Sequence, residues 1–352
     1  MLLPIEDIIH TAPKLGSIPG EPLGQSRQGR PLIGYRYGEG PLRLSLIAGC
    51  HADEPVGPAM LERLVTWLER NRRLPILRQC QLVIVPHTNP DGEARNRPWT
   101  EPLHLQSAPP KDCDLADYLR LQHREQPGED VEFGFPRNQD DKDARPENRA
   151  IAAFLRAHGP FDIHATFHGM AFAAGPWFLI EHSWADRTLT LRQNLRRKVQ
   201  ALGYTLHDID RGGEKGFHRI DEGFTSRPDS RAMQQHFESL GDTATAALFR
   251  PSSMEFVRSL GGDPLTLVSE MPLFLLPEEH FRGPDLIRPQ VIQDLQSLLL
   301  DGDSQKLRAF AGRAGIRPMP IADQMRLQLE FLAEALTCVQ TIGSKRTSGL
   351  LT

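Results

Sequence analysis

The feature that most constrains the fold is a short alternating apolar run that ends in a turn carrying His51 and Glu54. Residues 42–48 read Leu-Arg-Leu-Ser-Leu-Ile-Ala, and this alternation predicts a β-strand. Pro55 follows the turn and precedes a helical pattern near Met60, which is typical of a helix start. A histidine and a carboxylate three positions apart on such a turn can both point at one cation. Catalytic zinc takes such ligands, usually three from the protein.

Strand and helix patterns alternate along the 352 residues, which predicts an α/β chain whose sheet carries helices on both faces. Ligands bind outside the strand ends of such sheets. His51, His164 and Glu270 each lie at or near a predicted strand end. We expect a single catalytic domain over residues 1–343, with helices within 285–340 packed on it and a frayed tail at 344–352.

Composition and charge argue against several classes of function. The 41 basic and 45 acidic residues give a formal net charge of -4, so nucleic acid and anionic lipid are not expected as partners. No apolar run approaches the roughly 20 residues of a membrane span, and the N-terminus does not resemble a signal peptide. The four cysteines are scattered and predict no disulfide framework. We therefore expect a cytoplasmic protein; its oligomeric state stays open.

Two histidines, His164 and His168, compete for the place of a third metal ligand. Residues 161–167 predict a strand in which Asp162 and His164 point to the same face. Asp162 could then orient the imidazole, as ligating histidines usually require. His168 is predicted to lie beyond the strand, as a loop histidine lining the cleft. We therefore prefer His164.

Glu270 is the candidate general base. It lies towards the end of an apolar strand pattern over residues 264–272, so its carboxylate is either exposed in a rim salt bridge or aimed into the cleft. In the cleft it could take a proton from water activated by zinc and pass it to the leaving amine.

Together these motifs resemble those of the zinc carboxypeptidases related to carboxypeptidase A, and the chain is similar to a divergent, bacterial-type member. The matching motifs follow the order of that family: residues 49–55, Asn-Pro-Asp-Gly at 89–92, Pro-Glu at 146–147, Asp-Ile-His at 162–164 and Val-Ser-Glu-Met-Pro at 268–272. The resemblance implies a three-layer α/β/α fold with a mixed, mostly parallel central sheet, and one zinc ion per chain. It also implies hydrolysis of a C-terminal peptide bond or a related amide bond. In that case the zinc ligands are His51, Glu54 and His164, and Glu270 activates water.

The substrate side departs from the family pattern. The family usually carries Asp-Leu-Asn-Arg-x-Phe-Pro, whose Asn and Arg bind the terminal carboxylate of the substrate, whereas Glu132 and Phe133 occupy those places here. A carboxylate cannot bind another carboxylate without a proton or cation between them, and phenylalanine offers no donor. Arg137 and Asn138 follow at once and are the candidates to replace this clamp, although a solvated loop arginine is an equal interpretation.

The family also places an arginine after the Asn-Pro-Asp-Gly motif to stabilise the oxyanion. Arg95 and Arg97 are the options here. We prefer Arg97 for this role and keep Arg95 as a substrate-binding candidate. Family members often have a tyrosine upstream of the base, and residues 249–269 contain none.

Three functions follow from these residues. The leading prediction is a zinc metallocarboxypeptidase acting on a peptide. The alternative is an amidohydrolase of the same fold that acts on N-acyl amino acids, as desuccinylases and aspartoacylases do, and the altered clamp supports it. The third is an inactive metal- or ligand-binding protein, against which the retained ligands and base argue.

Overall fold

A ten-stranded mixed sheet forms the centre of the protein. The computed structural model describes residues 3–104, 110–208, 210–282 and 286–348. In chain order the strands are β1 (Glu21–Gln25), β2 (Pro31–Tyr37), β3 (Leu42–Ala48), β4 (Cys80–Val85), β5 (Ile163–Ala173), β6 (Trp177–Ile180), β7 (Arg219–Asp221), β8 (Phe224–Ser226), β9 (Leu265–Leu275), β10 (Phe281–Arg282), β11 (Leu286–Ile287) and β12 (Arg317–Pro318). Strands β10 and β11 pair only with each other as a separate ribbon among the described residues.

The strand order across the main sheet is β1-β2-β4-β3-β5-β9-β6-β8-β7, and β12 pairs with β9. The four strands at its centre, β4, β3, β5 and β9, run parallel. Antiparallel neighbours flank this centre, with β2 against β4 on one side and β6 against β9 on the other. The sheet is therefore mixed, as predicted.

Helices cover both faces of the sheet, which confirms the predicted α/β/α arrangement. They are α1 (Ile5–Ile9), α2 (Val56–Arg70), α3 (Pro90–His104), α4 (Leu115–Leu121), α5 (Pro146–His158), α6 (Leu189–Ala201), α7 (Ser230–Ser239), α8 (Thr243–Leu248), α9 (Ser253–Ser259), α10 (Pro289–Leu300), α11 (Ser304–Arg313) and α12 (Ile321–Ser348). Helices α2, α6 and α12 pack on one face, and α5 and α9 on the other.

The alternation in β3 explains how the sheet is buried on both sides. Leu44 and Leu46 join the core under α2, while Ile47 joins the core under α5. Helix α2 then comes very close to β5: a Cβ atom on Gly57 would lie 2.3 Å from the carbonyl oxygen of Phe167. Only glycine permits this approach, and it brings the start of α2 onto β5.

The C-terminal part differs from its prediction. Helix α12 continues to Ser348, so the chain is still helical at 344–348, where we expected a frayed tail. Residues 349–352 and Asp285, the first residue of the region in which C-terminal helices were predicted, lie outside the described residues. Among the helices described, none combines the length and apolarity needed to cross a membrane.

Candidate active site

Three side chains, those of His51, Glu54 and His168, form a group that could hold a metal ion. One ligand atom from each lies within 4.8 Å of the others. The Glu54 carboxylate links the two rings, with Oε1 2.7 Å from His51 Nδ1 and Oε2 2.9 Å from His168 Nδ1. Donors of a tetrahedral zinc site with bonds near 2.1 Å lie about 3.4 Å apart. Two imidazoles and one carboxylate at this spacing fit one zinc ion.

The register of the central strands brings these residues together. Ala48, the last residue of β3, pairs with Phe167 on β5. The turn that follows β3 therefore begins beside His168. Gly49 then turns the chain at φ +75°, a conformation that favours glycine. The turn presents His51 and Glu54 just before α2 begins, directly above the middle of β5.

The preferred third ligand, His164, is not in this group, and His168 takes its place. His164 pairs with Ser45, three residues before the end of β3. It lies on the same face of β5 as His168 but four residues earlier, about 13 Å along the strand. Its fully buried ring contacts the Ser45 hydroxyl at 2.6 Å and the Ser253 hydroxyl at 2.9 Å. Burial lowers the pKa of His164 to about 3, so this histidine is neutral.

Asp162, predicted to orient His164, instead accepts a hydrogen bond from the backbone N–H of Arg43 at 2.8 Å. We preferred His164 over His168 because we expected the strand to end at Phe167, which would have left His168 in a loop. Strand β5 does not end there. It continues to Ala173, paired along its length with β9.

The charges around the three side chains favour a dication. Burial opposes protonation of both imidazole rings, and Arg124 also opposes it at His51. The carboxylates of Glu54, and of Glu132 at His51, outweigh these effects, so the pKa of each ring is raised well above its usual value. Burial likewise opposes the charge on Glu54, but its cationic neighbours hold its pKa well below the usual range. Without a metal, the two imidazole rings are therefore protonated, and their positive charge lies where the charge of a bound ion would lie. Metal binding would release these protons.

Two further residues surround the group. Glu132 accepts a hydrogen bond from His51, with Oε2 2.8 Å from Nε2, the arrangement that fixes a ligating imidazole in metal sites. The exposed Arg124 donates through Nη1 to Glu54 Oε1 at 2.9 Å and to Asp53 Oδ1 at 3.0 Å. Sequence reasoning missed both contacts. Glu132 was noted only as a departure from a motif, and Arg124 lies in a polar segment without periodicity.

Glu270 lies beside the metal group, on the adjacent strand. It is the ladder partner of His168 on β5 and of Trp177 on β6. Its carboxylate is partly exposed and lines the same cavity as His51. Burial and the Glu54 carboxylate raise the pKa of Glu270 above its usual value. A carboxylate of raised proton affinity, facing a cavity, suits proton transfer.

The structure does not bring the other four predicted site residues to this cavity. On α3, Arg97 is exposed and paired with Glu93 and Glu101, and Arg95 contacts His123 at 2.8 Å. The predicted clamp residues are also exposed. The Arg137 guanidinium lies 3.5 Å from the carbonyl oxygen of Ala247, and the Asn138 side chain accepts from the backbone of Asp140. All four side chains are exposed, and none of them is among the residues that line the cavity.

The cavity itself has a volume of about 360 Å³. Charged and apolar side chains line it: His51, Arg124, Glu125, Asp130, Glu132, Arg211, Lys215 and Glu270 on the polar side, and Phe133, Leu179, Phe217, Met233, Phe237, Phe249, Met254 and Val268 on the apolar side. Such a cavity accepts a ligand that combines an apolar group with polar or charged groups.

A sequence model of the zinc carboxypeptidase family matches residues 19–252, more than half of the chain. Carboxypeptidase SOL1 from Arabidopsis thaliana is 32% identical over 168 residues, which cover 44% of this chain and 30% of that protein. The chain therefore matches less than a third of that relative's length.

Solved structures of low sequence identity were also found. A metallo-carboxypeptidase from Burkholderia cenocepacia is 14% identical with a TM-score of 0.45, over 96% of this chain and 67% of that chain. Bovine thrombin-activatable fibrinolysis inhibitor, solved in complex with tick carboxypeptidase inhibitor, is 13% identical with a TM-score of 0.46, over 93% and 90% of the two chains.

Proposed function

Because the chain belongs to the zinc carboxypeptidase family, we propose that it is a zinc-dependent hydrolase that cleaves a C-terminal peptide bond or a related amide bond. The observation that carries this proposal is the grouping of His51, Glu54 and His168, of which His51 lines the same cavity as Glu270. One zinc ion per chain fits these donors.

The metal donors, Glu270 and Arg124 each have a task in this reaction. Zinc bound by the three donors would polarise the scissile carbonyl and lower the pKa of a water molecule. Glu270 takes the proton from the attacking water and delivers it to the leaving amine. Arg124, beside Glu54 and facing the cavity, stabilises negative charge that develops on the carbonyl oxygen. It thereby takes the role that we predicted for Arg97.

One observation favours the alternative, an amidohydrolase of N-acyl amino acids. Glu132 stands where the family pattern has the asparagine that binds the peptide carboxylate, and it contacts His51 instead. The shape of the substrate need not then be that of a peptide.

The test combines metal analysis with turnover. The zinc-loaded protein is incubated with N-blocked dipeptides and with N-acyl amino acids, beside a Glu270→Gln control that keeps the metal donors. Release of the C-terminal amino acid by the wild-type protein alone supports the proposal, and the preferred substrate set decides between peptide and N-acyl amino acid. Zinc bound in both proteins with no turnover in either would instead indicate a metal-binding protein without catalytic activity.

A further inference from the structure

The loop over residues 211–217, Arg-Gly-Gly-Glu-Lys-Gly-Phe, brings two cations into the cavity that the family motifs do not account for. Arg211 and Lys215 both line the cavity together with Glu270. We propose that this loop is the carboxylate-binding site of the substrate, and that the group it binds is the α-carboxylate of the released amino acid. The inference rests on the proposed function and adds the recognition element that Glu132 and Phe133 cannot supply.

A stack of rings fixes the position of Arg211. Its guanidinium lies over the Phe217 ring, 4.4 Å from the centroid, and Phe217 stacks on Trp177 with centroids 5.4 Å apart. Trp177 is the ladder partner of Glu270. The guanidinium is thus tied through two rings to the strand beside the general base, and an arginine held on an aromatic face loses little freedom when it binds a carboxylate through its fork of donors.

The second cation, Lys215, lines the cavity from an unusual backbone conformation. Lys215 has φ 55°, and no other non-glycine residue of the described chain has a positive φ. A non-glycine residue in this conformation costs free energy and persists only where the surrounding structure enforces it. Such residues cluster at functional sites. Here the loop is anchored to β8 by Ser226, whose hydroxyl donates to the carbonyl oxygen of Gly216 at 2.9 Å. Among the described residues, the acid that pairs with Lys215 is Glu214, at 3.7 Å, which is longer than a hydrogen bond.

The remaining walls indicate what accompanies the carboxylate. Six apolar side chains also line the cavity: Leu179, Met233, Phe237, Phe249, Met254 and Val268. Its carboxylates, Glu125, Asp130, Glu132 and Glu270, would repel a further acid on the substrate. A second carboxylate on the substrate side chain would leave these walls in contact with a charge, which is unfavourable. The cavity therefore suits a released amino acid with a large apolar side chain, whose α-carboxylate meets the two cations.

The experiment compares a substrate with and without that carboxylate. The zinc-loaded protein is assayed with N-benzoylglycyl-phenylalanine and with the C-terminal amide of the same compound. We expect the wild-type protein to prefer the acid, and Arg211→Gln to lower kcat/KM for the acid by about 30-fold or more while leaving the amide nearly unchanged. Lys215→Gln should give a smaller loss of the same kind. Arg231→Gln, an exposed arginine nearby on α7, is the matched control and should behave as wild type.

Turnover of the amide reports whether each variant is folded. An acid-to-amide ratio in Arg211→Gln equal to that of the wild type overturns the proposal. If the wild type cleaves neither compound nor any substrate of the two panels above, the proposed function fails, and binding alone still decides the further inference. Calorimetry with 3-phenylpropanoate and its amide should then show tighter binding of the acid by the wild type, with the difference largely lost in Arg211→Gln. Equal acid binding by both proteins would contradict it.

Discussion

Truncating His168 to alanine separates the two histidines that compete for the metal. His168 offers Nδ1 to the shared group, 2.9 Å from Glu54. Structural zinc sites bind with about 10–16 kcal/mol over four ligands, so one ligand contributes roughly 3–4 kcal/mol. Each 1.4 kcal/mol is a factor of ten, so we expect His168→Ala to weaken zinc binding about 10²- to 10³-fold.

His164→Ala is the matched substitution, since it removes the same ring from the same face of β5. It leaves the hydroxyl groups of Ser45 and Ser253 buried without their ring partner. Each such loss costs about 1–3 kcal/mol, so the free energy of unfolding should fall by about 2–6 kcal/mol. Zinc affinity of the folded protein should stay within a few-fold of wild type.

The assay is competition of each protein with a chelator of known zinc affinity, paired with urea unfolding of the metal-free protein. The urea curves report the stability cost of each alanine separately from the metal. Zinc affinity that survives in His168→Ala, together with its loss in a folded His164→Ala, would refute the ligand assignment.

Three further predictions concern neighbouring groups. Glu270→Gln should keep zinc and stability but lower kcat by about 10²- to 10⁴-fold, since only proton transfer is removed; kinetics beside metal analysis checks this. Glu132→Gln should weaken zinc binding about 10- to 100-fold through loss of the carboxylate on His51 Nε2, and unchanged affinity would argue against a positioning role. The third prediction concerns pH. His164 has a pKa of about 3 when folded and about 6.5 when unfolded, so the unfolded state binds the extra proton between these values. Stability should therefore fall as pH drops below 6.5, by about 4 kcal/mol at pH 3, and urea titrations of His164→Gln should lack this part of the slope.

Local sequence patterns were sufficient for the parts of the site that form locally. The strand β3 has the predicted bounds, and the turn after it carries His51 and Glu54 into the group. Both follow from neighbouring residues: an alternating run, a glycine at positive φ and a helix start. Glu270 was likewise found beside the metal group because its strand has a strong apolar pattern.

The third ligand depends on long-range register, which a single sequence does not display. His164 and His168 share a face of β5, so periodicity cannot separate them. Two features of the sheet decide between the two histidines. Ala48 pairs with Phe167, and β5 extends past His168 along β9. The cavity lining from residues 124–133 and 211–217 was missed for a related reason, because irregular loops take their position from tertiary contacts rather than from a repeating pattern.

The two departures from the family motif have a common structural consequence. Glu132 turns to the metal side, where it accepts from His51. Phe133 packs edge-on against Phe249 with ring centroids 5.4 Å apart, and so adds an apolar surface where the motif would place an arginine. The two residues at the clamp positions therefore have other roles: Glu132 positions His51, and Phe133 packs in an apolar contact. Arg124 already donates to Asp53 and Glu54. We therefore propose Arg211, held on its ring stack, as the cation that recognises the carboxylate.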